Sequence, residues 1–250
     1  MPATPAWPPK SLPRLFVRTP LAQGAQVELD AGQANYLGNV MRLGVGAQLL
    51  LFDGQSGEWL ATISAAARKS MSLTVERRIR EAEGVPDVWL AFAPVKRAQT
   101  DWLVEKATEL GAARLLPVMT QRTIAERVKL ERLEAIAIEA AEQCGRTRLP
   151  EIATPIGLKP LIELRDARRR LYLADEGGGE PAATAFQAGP ALILIGPEGG
   201  FTDEERGLVR AAPNAVPISL GPRILRAETA ALAALAAYMA VAGDWRLIEP

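Results

Sequence analysis

The hydrophobic pattern of this chain changes character about a third of the way along. In the first part, apolar residues come in short runs separated by turn residues. Residues 14–17 and 26–29 predict short strands, and residues 31–41 a short helix stopped by Gly44 and Gly46. Residues 48–52 form an apolar run that ends at Asp53-Gly54, a strong turn signal. Residues 58–63 and 70–77 predict two further strands, where Leu73 and Val75 alternate with polar neighbours as a half-exposed sheet requires. Several short strands with turns between them predict a small β-barrel.

Residues 81–87 are polar, contain Gly84 and Pro86, and read as a linker. Strands and helices alternate beyond it. Strands are predicted at 88–93, 115–119, 170–174, 191–195 and 216–220, and helices at 100–110, 125–144, 203–211 and 228–242. Gly111 and Gly145 close the first two helices, and Val128, Leu133, Ile136 and Ala140 share a stripe on the second. Such alternation predicts an α/β domain with a mostly parallel sheet and helices on its faces. The domains are thus residues 1–82, a linker at 83–87, and residues 88–250.

A chain of 250 residues with 48% apolar content can bury one large core or two modest ones. It has no unbroken apolar run of about eighteen residues, so no membrane-spanning helix is expected. Residues 1–10, rich in Pro and Ala, lack the pattern of a secretory signal and read as a ragged tail on a cytoplasmic protein. The one cysteine, Cys144, sits on an apolar helical pattern and reads as a small core residue. The absence of histidine removes Ser-His-Asp and Cys-His nucleophile systems and HExxH metal sites. No metal is expected, since neither a His/Cys cluster nor a recognisable acidic ligand set is present. Acid–base chemistry is left to Asp, Glu, Lys, Arg, Tyr or the backbone. Net charge is zero, with nine Lys/Arg against six Asp/Glu in residues 1–82. A basic front end suits an RNA-gripping module, and ordinary surface scatter accounts for it equally well.

Two segments carry candidate chemistry. In the first, the apolar strand 191–195 runs into Gly196-Pro197-Glu198-Gly199-Gly200-Phe201-Thr202, and a helix starts at once. Thr202 and Glu205 have capping-box spacing. Glycines there let the backbone approach a ligand, and the same pattern also serves as a bare strand-to-helix turn. Neither a P-loop nor a GxGxxG fingerprint is present. In the second, strand 216–220 ends in Gly221-Pro222, and Arg223, Arg226 and Glu228 crowd the start of the next helix. For Glu228 the first-turn helix dipole is a sufficient structural reason.

Together, GPEGGF and LGPRILRAETA resemble the signature of the RsmE family of the SPOUT superfamily, the 16S rRNA (uracil-N3) methyltransferases. Asn35-Tyr-Leu-Gly-Asn-Val-Met-Arg, Phe52-Asp53-Gly54, Lys106-Ala-Thr-Glu-Leu-Gly111 and Glu142-Gln143-Cys-Gly-Arg146 resemble further family motifs, so the likeness runs over residues 14–242. Asn35 stands where the family often has His, so no essential role falls on that side chain here.

The resemblance implies a PUA-like β-barrel joined to a SPOUT domain with a C-terminal trefoil knot, working as a homodimer. It implies S-adenosylmethionine as cofactor and, as reaction, methylation of N3 of a uridine in 16S rRNA of the 30S subunit (U1498 in the usual rRNA numbering). By the same similarity the cofactor rests on three loops. These supply Leu173, Ala174 and Asp175; then Leu194, Ile195, Gly196, Pro197, Gly199 and Gly200; then Leu220, Gly221, Ile224 and Leu225. Loss of the N3 proton calls for a cation to favour the anionic base and a carboxylate to take the proton. Arg226 is the candidate for the first role, and Glu198 or Glu228 for the second. RNA contact is expected from Arg14, Arg42, Lys96, Arg122 and Arg146. Two other readings stay open on the residues alone: a related enzyme with a different RNA target, and a non-catalytic ribosome-assembly factor.

Overall fold

A computed structural model describes residues 12–67, 70–124 and 127–245; the N-terminal tail lies outside them. The chain divides into two compact units, Met1–Gly84 with Ala141–Leu149, and Val85–Ala140 with Pro150–Pro250.

The first unit contains β1 (Arg14–Phe16), β2 (Gln26–Glu28), α1 (Ala31–Asn35), β3 (Gln48–Phe52), β4 (Glu58–Ala67) and β5 (Ser70–Arg80). They form one five-stranded sheet in the order β1-β3-β4-β5-β2, antiparallel except for β1 beside β3. Register shifts along β4 and β5 bend this long pair. Met71, Leu73 and Val75 alternate inward on β5 and pack with Leu49, Leu51, Ala61 and Ile63 in one core. The Asp53-Gly54 turn is held by the Asp53 carboxylate, which accepts from Leu21 N–H, Gln55 N–H, Ser56 N–H and Ser56 Oγ. Partial burial pushes this carboxyl up, but the bonds from Ser56, Gln55 and Leu21 outweigh it and leave the pKa below its ordinary value.

The helix expected over 31–41 is α-helical only to Asn35. Asp30 and Gln33 start it with a capping box, and it then widens into a π-helical turn, Tyr36–Val40, where Met41 N–H donates to Tyr36 O. Arg42 ends it at φ 58, a left-handed position that no continuing helix takes.

Residues 141–149 join this unit although linear order assigns them to the second domain. Arg14 explains why. Its Nε donates to Glu58 Oε1 at 2.6 Å, and its other nitrogens donate to the carbonyls of Ala141, Glu142 and Arg146. The carbonyls of Ala141 and Glu142 belong to the last turn of a helix at Leu130–Cys144, where backbone acceptors run short of intrahelical donors, and that of Arg146 lies two residues beyond it. Arg14 and Glu58 are both buried.

The second unit contains β6 (Val88–Phe92), α2 (Arg97–Glu109), β7 (Arg114–Met119), α3 (Leu130–Cys144, except its last turn), β8 (Glu151–Ile152), β9 (Ile156–Gly157), α4 (Leu158–Leu164), β10 (Arg170–Ala174), β11 (Glu180–Pro181), α5 (Ala182–Ala185), β12 (Ala191–Ile195), α6 (Asp203–Arg210), β13 (Ala215–Ser219) and α7 (Ala227–Val241). The sheet runs β11-β13-β10-β12-β6-β7-β8, with every pair parallel. This order is compatible with the threaded path that the family likeness implies. The central strands are apolar throughout because helices cover both faces. Tyr172, Ile193 and Ile195 pack with Leu103, Tyr238 and Met239, whereas Leu171, Leu173, Leu192 and Leu194 pack with Phe201 and Val209.

The helix expected over 125–144 begins only at Leu130; residues 127–129 are coil, and 125 and 126 lie outside the described residues. Among the described residues no helix is long and apolar enough to cross a membrane.

Candidate active site

Because β10, β12 and β13 are parallel, the loops that follow them leave the same edge of the sheet. These loops border a cavity of about 740 Å³, within the size range of small-ligand sites.

The first loop is organised by Asp175, a nearly buried carboxylate. Arg210 Nε and Nη2 donate to Asp175 Oδ2 at 3.0 and 2.8 Å, and Gly177 N–H donates to Oδ1 at 2.8 Å. Arg206 lies 3.3 Å from both Asp175 Oδ1 and Glu176 Oε1. With both oxygens engaged, Asp175 shapes the loop, while Glu176 turns toward the second loop.

The second loop is the glycine-rich one. Gly200 takes φ +67, and a Cβ there would lie 2.7 Å from Glu176 Oε1. A Cβ on Gly196 would lie 2.8 Å from the Phe201 ring. Only glycine lets these two loops and the ring close so near to one another. The α6 capping box forms as its sequence spacing predicts: Thr202 Oγ1 accepts from Glu205 N–H, and Glu205 Oε2 accepts from Thr202 N–H.

The third loop turns at Gly221, which takes φ +107 with open space where a Cβ would stand. A flat ligand can therefore approach this backbone. Ile224 is 89% exposed at the cavity wall, and Arg226 occupies the N-cap of α7.

The cavity wall brings together Ala174, Asp175, Ile195, Gly196, Pro197, Gly200, Leu220, Gly221, Ile224 and Leu225 from the expected cofactor loops, with Lys96, Glu198 and Arg226 beside them. Leu173 and Leu194 do not reach it; they point into the sheet's own core, because inward and outward side chains alternate along a strand. Gly199 lies outside the lining as well, its carbonyl accepting from Arg122 Nη1 at 2.7 Å. Glu228 is buried in the first turn of α7, away from the wall, and makes no ion pair with Arg226 among the described residues.

Two of the expected RNA contacts are also displaced. Arg14 is committed to Glu58 and three carbonyls, and Arg146 is buried with its Nε 3.8 Å from Glu83. Guanidinium groups buried in this way do not present themselves to phosphate. Arg42, Lys96 and Arg122 are exposed.

Arg223, grouped with Arg226 and Glu228 in the sequence, lines the wall. Sequence reasoning misses Gln99, Phe201 and Arg206 there. Gln99 and Arg206 lie on helices, where only the fold brings them to the cavity.

A family model described as the RNA methyltransferase domain matches residues 83–239, and one described as the RNA methyltransferase PUA domain matches residues 29–76. The fold and the three-loop cavity thus define an RNA methyltransferase built from a PUA-like unit and an α/β unit. Similar proteins include the ribosomal RNA small subunit methyltransferase E of Rickettsia conorii, 31% identical over 228 residues that cover 89% of this chain and 93% of the relative. The protein of the same name from Synechocystis is 36% identical over 232 residues, 89% of this chain and 76% of the relative. A crystal structure of ribosomal RNA small subunit methyltransferase E from Neisseria gonorrhoeae bound to S-adenosyl methionine superposes with a TM-score of 0.85 at 27% identity, covering 94% of this chain and all of that one. The chain belongs to the ribosomal RNA small subunit methyltransferase E family.

Proposed function

We propose that this protein transfers the methyl group of S-adenosylmethionine to N3 of a uridine in the 16S rRNA of the small ribosomal subunit, U1498 in the usual rRNA numbering, as a cytoplasmic homodimer whose RNA-gripping front is the first unit and whose catalytic domain is the second. The observation that carries the reading is the cavity itself: three loop ends around one open glycine turn, with Arg226 and Glu198 on its wall.

The cavity suits the cofactor. Its glycine backbone at Gly221 has room for a flat base, Leu220 and Leu225 add apolar surface, and Glu176 offers a carboxylate. When bound, S-adenosylmethionine supplies an activated methyl electrophile. The protein's own work is then positioning and proton handling. In this reading Arg226, on the cavity wall, holds the deprotonated uracil edge as an anion. Glu198, exposed on the same wall, accepts the N3 proton. Glu228, buried off the wall, is read as a helix-dipole residue of α7. The exposed aliphatic side chain of Ile224 beside the cavity supports a second copy covering the site.

The decisive experiment is methyl transfer from labelled S-adenosylmethionine to 30S subunits and to naked 16S rRNA from cells lacking the activity, followed by nucleoside analysis. Formation of 3-methyluridine is the expected result. Cofactor binding without 3-methyluridine on either substrate would assign the enzyme a different RNA target, and absence of cofactor binding would favour an assembly factor.

A further inference from the structure

A second cavity, of about 380 Å³, adjoins the first; Lys96, Pro197 and Glu198 line both. Its charge is one-sided. Lys96, Arg97, Arg122, Arg127, Lys129 and Arg132 line it, against only Asp101 and Glu198. Asp101 is already taken by the Arg132 fork, whose Nε donates to Asp101 Oδ1 at 2.9 Å and whose Nη2 donates to Oδ2. Arg122 is held by Gly199 O. The side chains of Lys96, Arg97, Arg127 and Lys129 make no hydrogen bond or ion pair among the described residues. Between these cations the groove is apolar, with Val95, Val128, Leu133 and Pro197 in its lining, and Ile124 stands 80% exposed at its margin.

An apolar floor rimmed by unpaired cations matches one chemistry well, a single-stranded nucleotide. Its base has a flat face that seeks apolar contact or an arginine plane, and its phosphates seek the cations. Continuity decides the placement. A nucleoside entering the first cavity for methylation remains attached to its neighbours, and the wall of Lys96, Pro197 and Glu198 that both cavities share gives the strand a direct path into the second. We infer that this groove holds the unpaired nucleotide adjoining the methylated one, with Arg97, Arg127 and Lys129 gripping the flanking phosphates and Ile124 and Val128 receiving the base. The inference rests on the proposed RNA methyl transfer for its substrate class, and it adds the second nucleotide subsite.

The test uses the full-length protein loaded with S-adenosylhomocysteine and a uridine-containing single-stranded oligoribonucleotide as probe, titrated over a range of salt concentrations. The variant is R127Q/K129Q, with Ile124→Ser as a second, uncharged probe of the floor. Loss of two phosphate contacts is expected to flatten the slope of log K against log salt by about 1.4, since each contact to a single strand contributes about 0.7. Probe affinity should fall on the order of tenfold or more in R127Q/K129Q. In Ile124→Ser it should fall with the slope unchanged. Cofactor affinity and sedimentation coefficient should match the wild type in both. The inference is overturned if the wild type does not bind the probe, or if slope and affinity survive in R127Q/K129Q. It is also overturned if the variant changes oligomeric state, which would make the groove an interface between copies, or if polyglutamate competes as well as RNA, which would make it a site for acidic protein. Methyl transfer is read separately. Groove-dependent RNA binding without 3-methyluridine would leave the subsite standing and remove the proposed reaction; unaltered KM for 30S subunits in R127Q/K129Q would do the reverse.

Discussion

The backbone N–H of Gln121 donates to Oε1 of Glu205 at 2.8 Å, while the other oxygen of that carboxylate caps α6 at Thr202. One buried side chain thereby fastens the loop after β7 to the glycine-rich loop, and Arg122 adds a second tie at Gly199. Glu205→Ala removes a cap and strands a backbone donor, so unfolding free energy should drop by roughly 2–3 kcal/mol. Glu205→Gln keeps an acceptor and should lose about half as much. Urea denaturation reads both, and a Glu205→Ala protein as stable as the wild type would deny the carboxylate this role.

Gly221 and Gly24 share a left-handed backbone, φ +107 and +81, and both have open space at the Cβ position. Alanine at either should cost about 1 kcal/mol of stability from backbone strain. Only Gly221 borders the cofactor cavity. Calorimetric titration should therefore show weakened S-adenosylmethionine binding for Gly221→Ala and wild-type binding for Gly24→Ala.

Arg226 borders the cavity and Glu228, two residues on, does not. Arg226→Ala should lower kcat by about 10²–10³ while cofactor affinity changes little. Glu228→Gln should affect melting temperature and leave the pH dependence of kcat in place. Equal turnover of Arg226→Ala and wild type in the 30S assay would remove Arg226 from the chemistry.

Arg14 is a structural cation. Arg14→Gln leaves Glu58 buried beside a weaker partner and takes a donor from three carbonyls, and chemical denaturation should register a loss of roughly 3–5 kcal/mol. A surface phosphate contact at this position would instead leave stability within about 0.5 kcal/mol and change only the salt dependence of RNA binding.

Tyr238 donates to Gly189 O at 2.9 Å inside an aromatic cluster with Tyr172 and Phe186. Burial, reinforced by Tyr172 and Asp87, pushes its phenol up to about 12 from an ordinary value of 10.0. The folded state thus holds this proton more tightly than the unfolded one, and its contribution to stability is complete below pH 10.0 and lost as pH rises toward about 12. Tyr238→Phe should flatten the alkaline limb of a stability–pH curve measured by denaturant titration; an unchanged limb would assign the alkaline loss elsewhere.

Strands announced themselves in the sequence where periodicity was unbroken. Val88, Leu90 and Phe92, or the run from Ala191 to Ile195, lie in fully covered strands whose apolar content has no other use. The α6 start was equally plain, because Thr202 and Glu205 act within a single turn. Long-range relationships left no such trace. Arg14 looked like an RNA contact because its partners, Glu58 and the carbonyls at 141, 142 and 146, are 44 to 132 residues away. The sequence points Leu173 and Leu194 to the cavity because proximity to a loop says nothing about which face of the sheet a side chain takes. The second groove is invisible for the same reason: Arg97 opens α2, Arg127 precedes α3, and the two meet only when those segments pack.

The hold of Arg14 on the end of α3 bears on how such a protein can be taken apart. The first unit is not a contiguous stretch of chain, since it borrows residues 141–149 from beyond the first strands of the second. A fragment ending at residue 84 would carry Arg14 without the carbonyls of Ala141, Glu142 and Arg146 that complete its coordination. A front module carrying its own complete Arg14 contacts therefore needs both stretches of chain, and a single cut delivers only one of them.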